Sequence, residues 1–196
     1  MREVIASLIK NNMQAHFLGG KSEVVPYLQK VMPESSKVGI GGSVSLAECG
    51  VIEFLNNAAY VLNADDNKSD FYLCSSNAIT KNGLLYNIDG RSNRISCIVH
   101  GPKNVIIVAG KNKIVENLQQ AVYRIKSIAA PRNCKRLNFN TPCVSAGKCV
   151  SLNRSNASME DGCESQERSC CNYLISGAQR IKNRITVLLV NENMGY

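Results

Sequence analysis

Apolar residues along this chain fall in short unbroken runs separated by turn residues. The clearest is Val105-Ile106-Ile107-Val108-Ala109, and such a run without a polar break is what a strand buried on both faces requires. Shorter runs at 37–40, 59–62, 71–74, 84–88 and 184–190 read as further strands, and 16–18 as a short extended piece. Helical spacing appears between them. Val4, Ile5, Leu8 and Ile9 share one face of a helix over 3–14. Further helices are expected over 22–31, from Ser43 to about Cys49 and on through 51–57, and over 93–99. The longest stripe, Ile114, Leu118, Val122, Ile125 and Ile128, predicts a helix over 114–128 with Pro131 beyond its end. Residues 64–69 read as a polar loop, and 132–172 carry little periodicity. Strands alternating with helices imply an α/β fold: three layers around a mainly parallel sheet, one domain over 1–196, with a Cys-rich segment at about 134–172.

Composition changes this picture little. The chain has 196 residues, 44% hydrophobic and 19% charged, with no Trp, so an aliphatic core is expected. No window approaches the roughly 18–20 apolar residues that span a bilayer, and the N-terminal apolar run is short and broken. A cytoplasmic protein without membrane contact is the expectation. The formal charge of +8 invites a nucleic-acid reading. The basic residues are scattered, however, and few aromatics lie among them, so a solvated basic surface is expected and nucleic-acid binding is not.

Candidate chemistry sits where the chain reverses. In VGIGGSVSLAECG (38–50), Gly41 and Gly42 allow close approach of a ligand, and Ser43 and Ser45 add hydroxyls at a helix start. The spacing is neither the full dinucleotide-binding pattern nor a P-loop. Equally, Ser43 can simply cap the helix. In SSNAITKNGLLYNIDGRSNR (75–94), the polar residues Asn77, Asp89, Asn93 and Arg94 lie at turns, where an open α/β sheet lines its ligand crevice. Asp89 can act as a base and Arg94 as an anion clamp, or the two can pair with each other. With two histidines in the chain, a conventional hydrolytic triad is not expected.

Nine cysteines divide into two groups. Cys49, Cys74 and Cys97 lie in apolar segments and read as small buried hydrophobes. Cys134, Cys143, Cys149, Cys163, Cys170 and Cys171 crowd into one polar stretch. Four thiolates can hold zinc or an iron–sulfur cluster. Cys143, Cys149, Cys163, Cys170 and Cys171 are the candidate ligands, although no CxxC pair occurs and free thiols are the plainer reading.

Several segments carry a resemblance: SKVGIGGSVSLAECGV, the long block from Ser75 to Val115, AVYRIKSIAAPRNCKRLNFNTPC, GKCV and RITVLLVNENMGY. Together they cover most of the chain, and it resembles the LUD-domain proteins, the lactate utilisation family also known as DUF162. The resemblance implies a fold similar to the sugar-isomerase and CoA-transferase superfamily. It implies that Gly41, Gly42 and Ser43 face the anionic end of a ligand. Asp89, Gly90, Asn93 and Arg94 would line the reactive end, with Lys113 nearby. Some members belong to a lactate-oxidising system with iron–sulfur partner subunits. Relatives carry a longer excursion at 55–70 and a tighter cysteine spacing where this chain inserts 151–162. Cys163 and either Cys170 or Cys171 would then complete a quartet with Cys143 and Cys149.

Two readings follow. In the first, the crevice binds a small anion (a carboxylate, sugar phosphate or CoA-like compound) linked to lactate oxidation, with Asp89 and Arg94 as catalytic candidates. In the alternative, the chain is a non-catalytic metal or iron–sulfur subunit that docks to a redox partner.

Overall fold

The computed structural model describes residues 1–57, 59–62, 65–155 and 157–196. Residue 64 of the expected polar loop and residue 156 of the inserted segment lie outside the described residues. Six strands run parallel in one sheet: β1 (Gln14–Leu18), β2 (Lys37–Ile40), β3 (Val61–Leu62), β4 (Phe71–Cys74), β7 (Asn104–Gly110) and β10 (Ile185–Val190). Their spatial order is β1-β10-β7-β4-β2-β3. Pairing of Val187 with Ile107, and of Leu73 with Ile106, sets the central register.

The unbroken apolar runs exist because both faces of this sheet are covered. Along β7, Val105, Ile107 and Ala109 pack into one layer, and Ile106 and Val108 into the other. The first layer holds Val4 and Leu8 of α1 (Arg2–Lys10) and Cys97 and Ile98 of α5 (Asn93–Val99). The second holds α2 (Val24–Val31), α3 (Val44–Glu48) and α4 (Val51–Asn57) through Leu28, Leu46 and Leu55. This is the three-layer α/β architecture. Cys49, Cys74 and Cys97 are buried in it.

A second sheet, not foreseen from the hydrophobic pattern, is built from β5 (Ala78–Thr80), β6 (Leu85–Asp89), β8 (Ile114–Val115) and β9 (Asn172–Ser176), in the order β8-β5-β6-β9. β6 runs antiparallel to both β5 and β9. One face is covered by α6 (Leu118–Arg124), a π-type turn (Ile125–Ala129) and α7 (Ala130–Arg136), with Ala121, Ile125 and Ala129 against Tyr86 and Ile88.

Three expectations are corrected. The helix placed over 114–128 begins later: Ile114 and Val115 pair in parallel with Ile79 and Thr80, and the Asn117 side chain then caps α6 at Gln120 N, 3.0 Å away. Pro131 does not lie beyond the helix; it lies in the first turn of α7, which continues directly from the π turn, and that widened turn accommodates a residue that cannot donate an N–H. The first helix stops at Lys10, and Gln14 already belongs to β1. Segment 132–172 holds short α8 (Pro142–Ala146) and leads into β9, whose side chains are mostly half-buried and show no apolar period.

The Asn82-Gly83 turn docks the small sheet on α1. Asn11 Nδ2 donates to Gly83 O at 2.9 Å. Gly83 has φ +79°, and a Cβ there would lie 2.7 Å from the backbone carbon of Ser7. Gly83→Ala is therefore expected to cost more than the about 1–2 kcal/mol of a left-handed non-glycine residue, read as a lower urea midpoint. A change under a few tenths would contradict this packing.

Candidate functional site

Because the strands of the main sheet run one way, the chain leaves β2, β4, β7 and β10 at a single edge. The segments 41–45, 75–77, 111–113 and 191–196 gather there. With the end of β6 and the start of α7 they border a cleft of about 960 Å³.

Lys113 lines this cleft and is 3% exposed. Its ammonium donates to Ser45 Oγ and Ser75 Oγ, each 2.8 Å away. Among the described residues, no ion pair includes it. Burial, reinforced by the Arg124 and Arg94 charges, pushes the amine down from its ordinary 10.5 to about 7; Glu48 and Cys74 oppose this weakly. Arg124 is itself committed to backbone carbonyls. Its Nε donates to Asn112 O at 2.9 Å and its Nη1 to Asn77 O at 2.6 Å, so it ties together the segments after β4 and β7.

Asp89 and Arg94 meet, as their positions suggested they can. Arg94 Nη2 lies 2.8 Å from Asp89 Oδ1, and Nε lies 3.1 Å from the same oxygen. The guanidinium also donates to Ser75 O, Asn77 Oδ1 and Ile88 O. Asp89 Oδ2 accepts from Ile95 N at 2.7 Å, at the start of α5. Arg94 therefore spends its donors on the protein, joining the end of β4 to the end of β6.

Gly42, Ser43, Asn77, Gly90 and Asn93 also line the cleft. Gly41 does not: a Cβ there would lie 2.7 Å from Tyr72 Oη, so its role is to let β2 end against the core. Ser43 Oγ accepts from Leu46 N at 3.3 Å and caps α3, as one reading held. Ser75, Arg136 and Tyr196 belong to the cleft and were not picked out from sequence. Ser75 follows a buried strand directly, the signal by which it was findable. Tyr196 accepts from Arg136 Nε at 2.6 Å and carried no signal.

The cysteines separate in space. Cys134, Cys143, Cys149, Cys163 and Cys170 line one small enclosed pocket beneath the cleft. Cys171 lines the cleft, is exposed, and donates to Arg168 O at 3.0 Å. Among the described residues, no group of three His, Cys, Asp or Glu side chains is placed to hold a metal ion.

A three-layer α/β protein with its crevice at the carboxyl edge of a parallel sheet, floored by a buried lysine, is the class that this geometry defines. The chain belongs to the LUD domain family, whose profile matches residues 1–190; the family is associated with lactate utilisation. The fold is similar to the crystal structure of a DUF162 family protein from Deinococcus radiodurans, with TM-score 0.54 and 12% identity over 96% of this chain and 94% of that one. No curated protein matches the sequence. No helix among the described residues is long and apolar enough to cross a membrane.

Two outcomes test this geometry. Arg94→Met leaves Asp89 buried and unpaired, and is expected to cost about 3–5 kcal/mol of unfolding free energy; near-neutrality would show that the pair is dispensable. Lys113→Met removes a buried charge and is expected to stabilise the ligand-free protein by about 1–3 kcal/mol near neutral pH. Its amine pKa is lower folded than unfolded, so the unfolded chain binds more protons between about pH 7 and 10.5, and wild-type stability rises across that window. The melting-temperature gap between Lys113→Met and wild type is thus expected to close with rising pH. A gap that does not change contradicts the assignment.

Proposed function

We propose that this protein binds a small anionic metabolite in the cleft, with its charged end at Lys113, and that it serves carbon metabolism linked to lactate. The observation that carries the reading is the buried lysine, which has no carboxylate partner among the described residues. A cation taken out of water without a counter-charge is costly, and a bound anion offsets that cost. Arg91 and Arg136 line the same cleft and add positive charge toward its mouth. The anion site therefore moves from Arg94, whose donors are engaged, to Lys113 with Ser45 and Ser75.

Size narrows the ligand. A cleft of about 960 Å³ is at the upper end of the range for small-molecule sites. A three-carbon acid would occupy a small part of it, whereas a phosphorylated sugar or a CoA-like compound fills more. An amine that titrates near pH 7 is also suited to general acid–base work. Asp89, with both oxygens engaged, is left mainly to hold the wall. Turnover, if the protein is an enzyme, would then run through Lys113.

Calorimetric titration with coenzyme A, glucose 6-phosphate and lactate tests this. Binding by one of the two larger anions is expected, weakened at least about tenfold in Lys113→Met, as for loss of a charged hydrogen bond. Affinity should fall as pH rises above about 7 in the wild type and stay flat in the variant. Binding indifferent to Lys113, or no binding of any of the three, would overturn the reading.

A further inference from the structure

The cleft carries more positive charge than one anionic group answers. Lys113 lines it together with four arginines and two carboxylates, those of Asp89 and Glu167. Two of the arginines are committed to the protein. Arg94 holds Asp89, and Arg168 donates to Cys163 O at 3.3 Å and to Glu160 O at 2.7 Å. Glu167 accepts from Asn140 N and enters no ion pair among the described residues. Three cations, Lys113, Arg91 and Arg136, therefore share the cleft with one uncommitted carboxylate. A cleft with such an excess of one sign concentrates ligands of the other.

Arg136 is exposed, yet its head is held. Nε donates to Tyr196 Oη at 2.6 Å, and Nη2 donates to Asn133 Oδ1 at 2.9 Å. Tyr196 Oη donates to the same Asn133 oxygen at 3.1 Å, which closes a ring of three side chains. Nη1 donates to no partner among the described residues and stays open to a ligand. The place of Arg136 in the last turn of α7 suits a cation, because the helix dipole is negative there. That place accounts for the charge but not for the ring. Fixing a long side chain costs rotamer freedom, and no carboxylate offsets it here. A guanidinium fork held ready in this way has less left to order when an oxyanion arrives.

Two contacts relate this head to the other cations. Gly195 passes Lys113, since a Cβ on it would lie 3.6 Å from Lys113 Nζ, and the next residue, Tyr196, carries the ring to Arg136. Ser169 stands between α7 and the turn that bears Arg91. Its Oγ lies 3.0 Å from Cys134 Sγ of α7, and a Cβ on Gly90 would lie 3.3 Å from its Cα. Arg91 follows Gly90 directly, ahead of Ser92 at φ +59°, and enters no ion pair among the described residues. We propose, resting on the reading that Lys113 receives one anionic group, that Arg136 with Arg91 receives a second. The ligand is then a two-ended anion of sugar size, with a phosphate at one end and a phosphate or carboxylate at the other. A compound charged at one end only leaves the outer pair of arginines to water.

The test is calorimetric titration of the full chain, at one fixed ionic strength, with fructose 6-phosphate, fructose 1,6-bisphosphate and 6-phosphogluconate. The three share a six-carbon body and differ in the group at the far end. At least one of the two-ended compounds is expected to bind at least about tenfold tighter than fructose 6-phosphate, as for a charged hydrogen bond gained. Whichever gains more identifies the outer group as phosphate or carboxylate. Arg136→Gln should remove most of that gain. Lys135→Gln, which deletes the same charge from an exposed neighbour outside the cleft, should keep it. Lys113→Met should weaken all three compounds. Equal binding of one-ended and two-ended compounds overturns the second subsite even where Lys113 still matters. So does a gain that survives Arg136→Gln, or one that Lys135→Gln removes as fully. Binding indifferent to Lys113, or no binding at all, overturns the anion reading beneath it as well. The wild-type comparison decides even if the Arg136→Gln chain fails to fold.

Discussion

The Arg94 guanidinium is the interaction on which the site depends. It reaches Ser75 O at the end of β4, Asn77 beyond it, and Ile88 and Asp89 at the end of β6. The main sheet and the small sheet have no strand in common, and this one cation joins their ends. Ser75 is thereby fixed, and Ser75 is one of the two hydroxyls that hold Lys113. Two cations near each other thus have opposite tasks. Arg94 is paired and stabilises the wall; Lys113 has no ion-pair partner among the described residues, and burial lowers its pKa. On the proposed reading, such a buried amine exchanges stability for a place where an anion is welcome.

The cleft and the cysteine pocket share a wall, and this gives the Cys-rich segment a meaning beyond its own chemistry. Arg168 reaches the Cys170 sulfur on one side and borders the anion cleft on the other. The π turn at Ile125–Ala129 contributes Lys126 to the pocket and Ala129 to the cleft. A widened helical turn sends consecutive residues in directions that a regular helix does not, which is why such turns recur at functional sites.

Much of the fold was legible in the sequence, for a physical reason. Strands covered on both faces must be continuously apolar, so β7 and β10 announce themselves. The small sheet was not legible because its strands are short and carry polar residues such as Thr80, Asn87 and Asp89 even where they are buried, and because Ile114 continues the helical spacing of Leu118 and Val122 although it lies in β8. Asp89, Gly90, Asn93 and Arg94, neighbours in the sequence, line one cleft. The sequence could not tell which cation would be spent on the protein, because that depends on carbonyls supplied by Ser75 and Ile88. Nor could it choose between Cys170 and Cys171. Adjacent residues in extended chain point to opposite sides, and here Cys170 faces the pocket and Cys171 the cleft. Cys134, grouped with the other cysteines of the stretch but not among the candidate ligands, lines the same pocket from α7.

The most direct measurement is a titration of Lys113 Nζ itself by ¹⁵N NMR, assigned by comparison with Lys113→Met, with and without coenzyme A. The account predicts a pKa near 7 in the free protein and a clear rise when the anion occupies the cleft, since an opposite charge favours the protonated amine. An amine that titrates in the ordinary lysine range, or one whose pKa is unmoved by saturating ligand, would contradict it.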